Sequence, residues 1–143
     1  MTRSSRTPRR LVVGDETFLW AVGHEHREEQ GRFLDCREVL TVRRPRALGR
    51  LRIVFEARPG HLVPDGGPYT HSGSVGTDSA GWLNLHEPGT VRALLDEITT
   101  RGGRVGADAT ETVDGWTLVD AVSARRGDRS DRGDRSDPGS VRP

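Results

Sequence analysis

TFLWAVGHEHREEQGRFLDCREVLTVR, residues Thr17 to Arg43, alternates apolar and polar side chains on either side of a polar middle. Period-two alternation marks a strand with one covered face and one wet face. Phe18, Trp20 and Val22 share a parity in the first half, and Leu40 and Val42 share one in the second. Two strands, Thr17 to His26 and Asp35 to Arg43, are therefore expected to pair as a hairpin turning near Gly31. In that register Trp20 faces Val42, Val22 faces Leu40, His24 faces Glu38 and His26 faces Cys36.

The same alternation continues outward. Upstream, Leu11 to Val13 leads into Gly14-Asp15, a Gly-first two-residue loop that suits a type II′ hairpin. Downstream, Arg50 to Glu56 sets Leu51, Ile53 and Phe55 against Arg50, Arg52 and Glu56, which makes it another strand of the meander. Residues 57–81 then carry glycine at 60, 66, 67, 73, 76 and 81 and proline at 59, 64 and 68. This segment is expected to be a long irregular loop with a short strand around Ser74 to Gly76, and loops of that length tend to be functional or mobile.

GWLNLHEPGTVRALLDEI, Gly81 to Ile98, reads as a strand over Trp82 to Leu85 that passes into a helix with Pro88 at its first position. Val91, Leu94, Leu95 and Ile98 follow the i, i+3, i+4, i+7 spacing of an amphipathic helix, and Gly102 or Gly103 supplies its stop. Thr112 to Val122 is expected to close the sheet, with Asp114-Gly115 as a turn before Trp116. Trp20, Trp82 and Trp116 all lie in apolar strand patterns and are expected to anchor the core.

The resulting fold class is α+β: a curved antiparallel sheet of five or six strands packed on one amphipathic helix, in a single domain over residues 10–122. A disordered basic arm is expected at residues 1–9 and a disordered tail at residues 123–143. The tail contains RGDRSD twice, at Arg126 to Asp131 and Arg132 to Asp137, without one apolar side chain to offset its ordering entropy.

REVLTVRR, RLRIVFEARPGHLVPDG, GWLNLHEPGTVRALLDE and DGWTLVDAV together resemble a group of small actinobacterial hypothetical proteins, over about residues 10–122. The resemblance implies a compact unit of strands with one helix. It transfers no activity and no catalytic residue.

Charge narrows the partners. All 22 basic side chains are arginine, and the net charge of +1 is unevenly spread: residues 1–10 carry +4, residues 11–124 carry −5 and residues 125–143 carry +2. An acidic body lacks the basic face that phosphate backbones and anionic membranes need, so nucleic-acid contact is expected only weakly, through the arm. One cysteine excludes an internal disulfide framework, and neither a signal-type apolar region nor a run of about 18 apolar residues is present. A cytoplasmic protein is the expectation.

Several side chains could carry chemistry. Strand parity puts His24, His26, Cys36 and Glu38 on one face at one end of the sheet, a set able to hold tetrahedral Zn²⁺. The competing reading is a His24–Glu38 pair with Cys36 packed as a small apolar residue. A Cys36 nucleophile served by His26 is possible in kind, but a cysteine inside a strand lacks the exposure and helix dipole that activate a thiol. His86 and Glu87 stand at the helix N-terminus, where they could meet a substrate oxygen or merely end the strand. His61, Tyr69 and His71 lie in the glycine-proline segment, where polar aromatics can line a pocket. No HExxH, CxxC, Gly-x-Ser-x-Gly or Walker A pattern occurs, and the chain has no lysine. The function expected is a small non-catalytic binding or interaction module without a cofactor, taking a protein or small-molecule ligand through residues 57–81 and the open end of the sheet. The alternative is a zinc-binding protein or metal-dependent hydrolase built on the His/Cys/Glu set.

Overall fold

In the computed structural model the described residues are 2–3, 7–64 and 73–135, with side chains described over 7–64 and 73–127. The elements in chain order are β1 (Thr2–Arg3), β2 (Arg9–Val13), β3 (Glu16–Glu29), β4 (Arg32–Arg43), β5 (Arg50–Glu56), β6 (His61–Leu62), β7 (Ser74–Thr77), β8 (Gly81–Asn84), α1 (Pro88–Thr100), β9 (Thr110–Asp114), a 3-10 turn at Gly115–Leu118 and α2 (Val119–Arg135). The class is α+β, as expected. Most of the large sheet is antiparallel: β3 pairs with β4, and β4 with β5.

The central hairpin forms because both strands keep their alternation, and its turn fits its sequence. Gln30 and Gly31 have φ of 50° and 76°, the two left-handed residues that a type I′ turn requires. Gly14, with φ of 64°, opens the loop between β2 and β3 as a Gly-first turn should. The β3–β4 register matches the expected one from Trp20↔Val42 through Glu25↔Arg37, so His24 faces Glu38. β3 is long enough to pair twice along its other edge, with β2 against Glu16 to Trp20 and with β1 against His24 and Glu25. Part of the expected basic arm is thus a strand.

The C-terminal part differs from expectation. Strand β9 covers only Thr110–Asp114 and runs parallel to β5, because the chain crosses over through α1 before it returns. Asp114 then accepts a hydrogen bond from the Trp116 N–H at 3.0 Å and starts the 3-10 turn, which feeds α2. The residues expected to finish a strand, Trp116 to Val122, are turn and helix instead. Residues 123–135, assigned to the tail, continue that helix, and 136–143 lie outside the described residues.

Helix α1 behaves as its pattern requires. Pro88 occupies the first turn, and Val91, Leu94, Leu95 and Ile98 are buried. Gly102, at φ 88°, ends it: Gly103 N–H donates to Ile98 O at 2.8 Å and Gly102 N–H to Thr99 O at 3.0 Å, a Schellman closure. Glu97 accepts from Arg101 at 2.9 Å and from Arg125 of α2 at 3.1 Å, tying the helices together. The hydrogen bond from Arg101 holds the Glu97 carboxyl below its ordinary value; burial opposes this, and Arg125 adds to the lowering.

The core lies between the inner face of the large sheet and the helices. Trp20, Val42, Leu51, Ile53 and Phe55 meet Leu94, Leu118 and Val122 there. The second sheet is β6-β7-β8: β7 falls on the short strand expected around Ser74 to Gly76 and β8 on the strand expected over Trp82 to Leu85, while β6 lies in the expected loop. Its inner side chains, Val75 and Leu83, join the same core.

Candidate functional site

One end of the large sheet buries a carboxylate. Glu38 has no exposed surface, and its Oε1 lies 2.5 Å from His24 Nδ1. Cross-strand opposition brings the two together, so sequence parity located the pair. The other oxygen, Oε2, accepts from the Gly73 N–H at 2.9 Å. Buried carboxyl oxygens are tolerated where they are hydrogen-bonded, and here the partners come from β3 and from the start of the segment leading into β7.

The expected neighbours of this pair do not complete a metal-ligand set. A bulge between Glu25 and Arg27 shifts the register, so that Asp35 and Cys36 of β4 together stand against His26 and Arg27 faces Leu34. The His26 ring lies 5.3 Å from the His24 ring and 4.2 Å from the Phe33 ring, centre to centre. Cys36 is buried in β4. Among the described residues, no three His, Cys, Asp or Glu side chains come together in a way that could hold a metal ion.

Gly73 is held on three sides. Its N–H reaches Glu38, its carbonyl accepts from the Leu85 N–H at 2.7 Å, and the His86 ring lies where a Cβ would stand. With φ at 96°, this position suits glycine on both counts. His86 is thereby placed at the sheet end beside the Glu38–Gly73 contact. Its carbonyl accepts from Arg9 Nη1 at 2.7 Å, and the Arg9 guanidinium lies 4.6 Å above the Trp20 ring. His86 N–H donates to Asn84 Oδ1 at 2.9 Å, so Asn84 shapes the entry to α1. Glu87 is the helix N-cap by position but makes no side-chain cap; its carboxylate pairs with Arg126 of α2.

The remaining candidates lie elsewhere. His61 Nδ1 is 2.9 Å from the Pro59 carbonyl, and its ring meets Trp116 edge-on at 4.8 Å. Tyr69 and His71 lie outside the described residues.

Chemically, the His24–Glu38 pair is an imidazole oriented by a carboxylate. With Nδ1–H donated to Glu38, Nε2 carries the lone pair; it is buried and has no hydrogen-bond partner among the described residues. Among the described residues no hydroxyl or thiol hydrogen-bonds to that nitrogen, so what they present is an imidazole oriented by a carboxyl group. Its evident structural action is to fasten the chain at Gly73 to the sheet.

A second surface was missed by the sequence reading. The registers Leu62↔Gly76 and Gly76↔Trp82 put these residues in one row across the outer face of the small sheet. Trp82 is 64% exposed and Leu62 49%, so Trp82 is not the core anchor its apolar context suggested. The Trp82 ring covers Gly76, where an added Cβ would stand 2.8 Å from Cδ2. The signal was present in GWLNL: Leu83 and Leu85 share the buried parity, which leaves Trp82 on the other side.

No family model, curated protein or solved structure matches the chain. No helix among the described residues is long and apolar enough to cross a membrane.

Proposed function

We propose that the protein is a small non-catalytic binding module of the cytoplasm, and that it takes a protein partner on the outer face of the small sheet. The observation that carries this reading is the pairing of Trp82 and Leu62 in one exposed row across Gly76. Exposed apolar side chains gathered together mark interaction surfaces, and tryptophan is the residue most enriched among those that dominate binding energy. The row is supported from beneath. Val75 and Leu83 anchor the sheet in the core, and the Glu38–Gly73 bond fixes the strand that enters it. A preorganised patch loses little entropy on binding.

The test is crosslinked capture from cells expressing the tagged full chain, run in parallel with Trp82→Ala and Leu62→Ser. The expected result is a partner retained by the native chain at least tenfold over either variant, while both variants keep the native melting temperature. Equal capture by all three proteins would overturn the reading.

A further inference from the structure

The face of the large sheet that turns away from the helices carries an arrangement that the Trp82 patch does not involve. The β4–β5 pairing ends at Val42↔Leu51; the next residue of each strand, Arg43 of β4 and Arg50 of β5, lies on the outer face at that end, and Arg50 is opposed by Thr110 of β9. In the next row Thr41 faces Arg52, which faces Thr112. Three arginines and three threonines thus share one face over two adjacent rows. Toward the other end of that face, Arg52 and Arg37 both bond the carboxylate of Glu25, at 2.8 and 2.9 Å. Arg43 and Arg50 make no ion pair with any described residue.

Like charges brought together at one end of two neighbouring strands weaken their pairing. The chain nevertheless keeps Arg43 beside Arg50, in a body that otherwise carries more acids than arginines. These guanidinium groups line a groove of about 640 Å³, whose floor includes Leu19, Ala21, Gly23 and Val39. That volume falls within the range of small-ligand sites. An oxyanion bound between Arg43 and Arg50 would turn their repulsion into attraction, because each planar fork can hold two of its oxygens.

The number of donors selects the anion. Two guanidinium forks with the Thr41 hydroxyl beside them offer more donors than the two oxygens of a carboxylate can satisfy. The three terminal oxygens of a phosphate monoester match them better. The Glu25 carboxylate and the Glu56 carboxylate farther along the same face would repel a polyanion that tracked across it. A single phosphate on a small carbon body avoids them, with the body lying over Leu19, Ala21 and Val39.

We propose that this groove binds a small organic phosphate, with the phosphate between Arg43 and Arg50 and the carbon body on the apolar floor. The experiment is isothermal titration calorimetry on the full chain at low ionic strength with inorganic phosphate, glucose 6-phosphate, adenosine 5′-monophosphate and succinate. At least one monoester should bind tenfold or more tightly than inorganic phosphate, and succinate should bind no better than inorganic phosphate. The Arg43→Gln/Arg50→Gln protein should lose at least tenfold in monoester affinity and melt no lower than the native chain, since a repulsion has been removed. Arg104→Gln, an exposed arginine outside the groove, should bind like the native chain. The proposal is overturned if no monoester outbinds inorganic phosphate, if succinate competes equally, or if the double variant binds undiminished. Loss of the Trp82 patch reading would leave this result untouched, because the two surfaces share no residue.

Discussion

Trp20 and Trp82 both stand in short apolar stretches, yet Trp20 is 1% exposed and Trp82 is 64% exposed. The difference belongs to the two sheets rather than to the residues. The large sheet has strands of 7 to 14 residues at its centre, and its inner face is closed by both helices, so Phe18, Trp20, Val22, Leu40, Val42, Leu51, Ile53 and Phe55 are driven into the core. The small sheet has strands of two and four residues and offers only Val75 and Leu83 to that core. On its other face Leu62 and Trp82 stay largely exposed, and the tryptophan there remains a surface group. A sheet of few short strands is not stable alone, so its outward side chains are displayed by a neighbour's stability.

The largest effect expected from breaking this contrast is at Trp20. Trp20→Ala should cost about 4 kcal/mol, the usual range for emptying a large aromatic site in a core, whereas Trp82→Ala should cost about 0.5 kcal/mol or less. Urea unfolding followed by circular dichroism measures both. Similar losses for the two variants would mean that the small sheet is as integral as the large one.

Next in size is the joint between the sheets. Glu38→Ala removes the acceptor for His24 and for Gly73 N–H at once and leaves their donors buried. Leaving two buried donors without their acceptor costs about 3 kcal/mol in all. The loss should be accompanied by faster amide exchange over residues 73–85, with β3 and β5 protected. Glu38→Gln retains a carbonyl acceptor and should restore most of that protection. A Glu38→Ala protein with unchanged exchange in that segment would show that the small sheet holds its place without the joint.

The contrast also explains which features were legible in the sequence. Alternation over Phe18 to Val22 and Leu40 to Val42 sufficed for the hairpin, its register and the His24–Glu38 pair, because one-sided burial penalises any slip. The His26–Cys36 opposition was not legible. The bulge opposite His26 puts an extra residue in β4, where Asp35 takes φ 56°, and nothing in RFLDCR marks where that residue falls. Pro88 and Gly102 punctuated α1 as read. By contrast, α2 carries few apolar residues beyond Val119 and Val122, so its helical period was too faint to distinguish from strand and tail. For a related reason β6, and the pairing of β7 and β8 as a separate sheet, were hidden although those two strands were expected. Strands this short among glycines and prolines form through tertiary support from Val75, Leu83 and the Glu38 anchor, and their own propensity is weak. Tyr69 and His71 lie outside the described residues and do not enter this comparison.

The smallest effect expected distinguishes the two ways in which the small sheet could hold Trp82. A Cβ at Gly76 would stand 2.8 Å from Trp82 Cδ2 and 2.9 Å from the Gly81 carbonyl oxygen. The indole is exposed on its far side and can swing away, but the carbonyl belongs to the paired strand and cannot move without disturbing the ladder. Gly76→Ala should therefore cost about 1 to 2 kcal/mol, as overpacking commonly does, and should shift tryptophan emission to the red as the ring leaves its glycine seat. In a Trp82→Ala background the ring clash is gone and the carbonyl clash remains, so the cost of Gly76→Ala should fall by about half without vanishing. If the cost disappears entirely in that background, glycine is kept at 76 only to seat the indole, and the exposed row is the feature that the small sheet is built to present. If the cost is unchanged, the strands set the glycine and Trp82 merely rests on it.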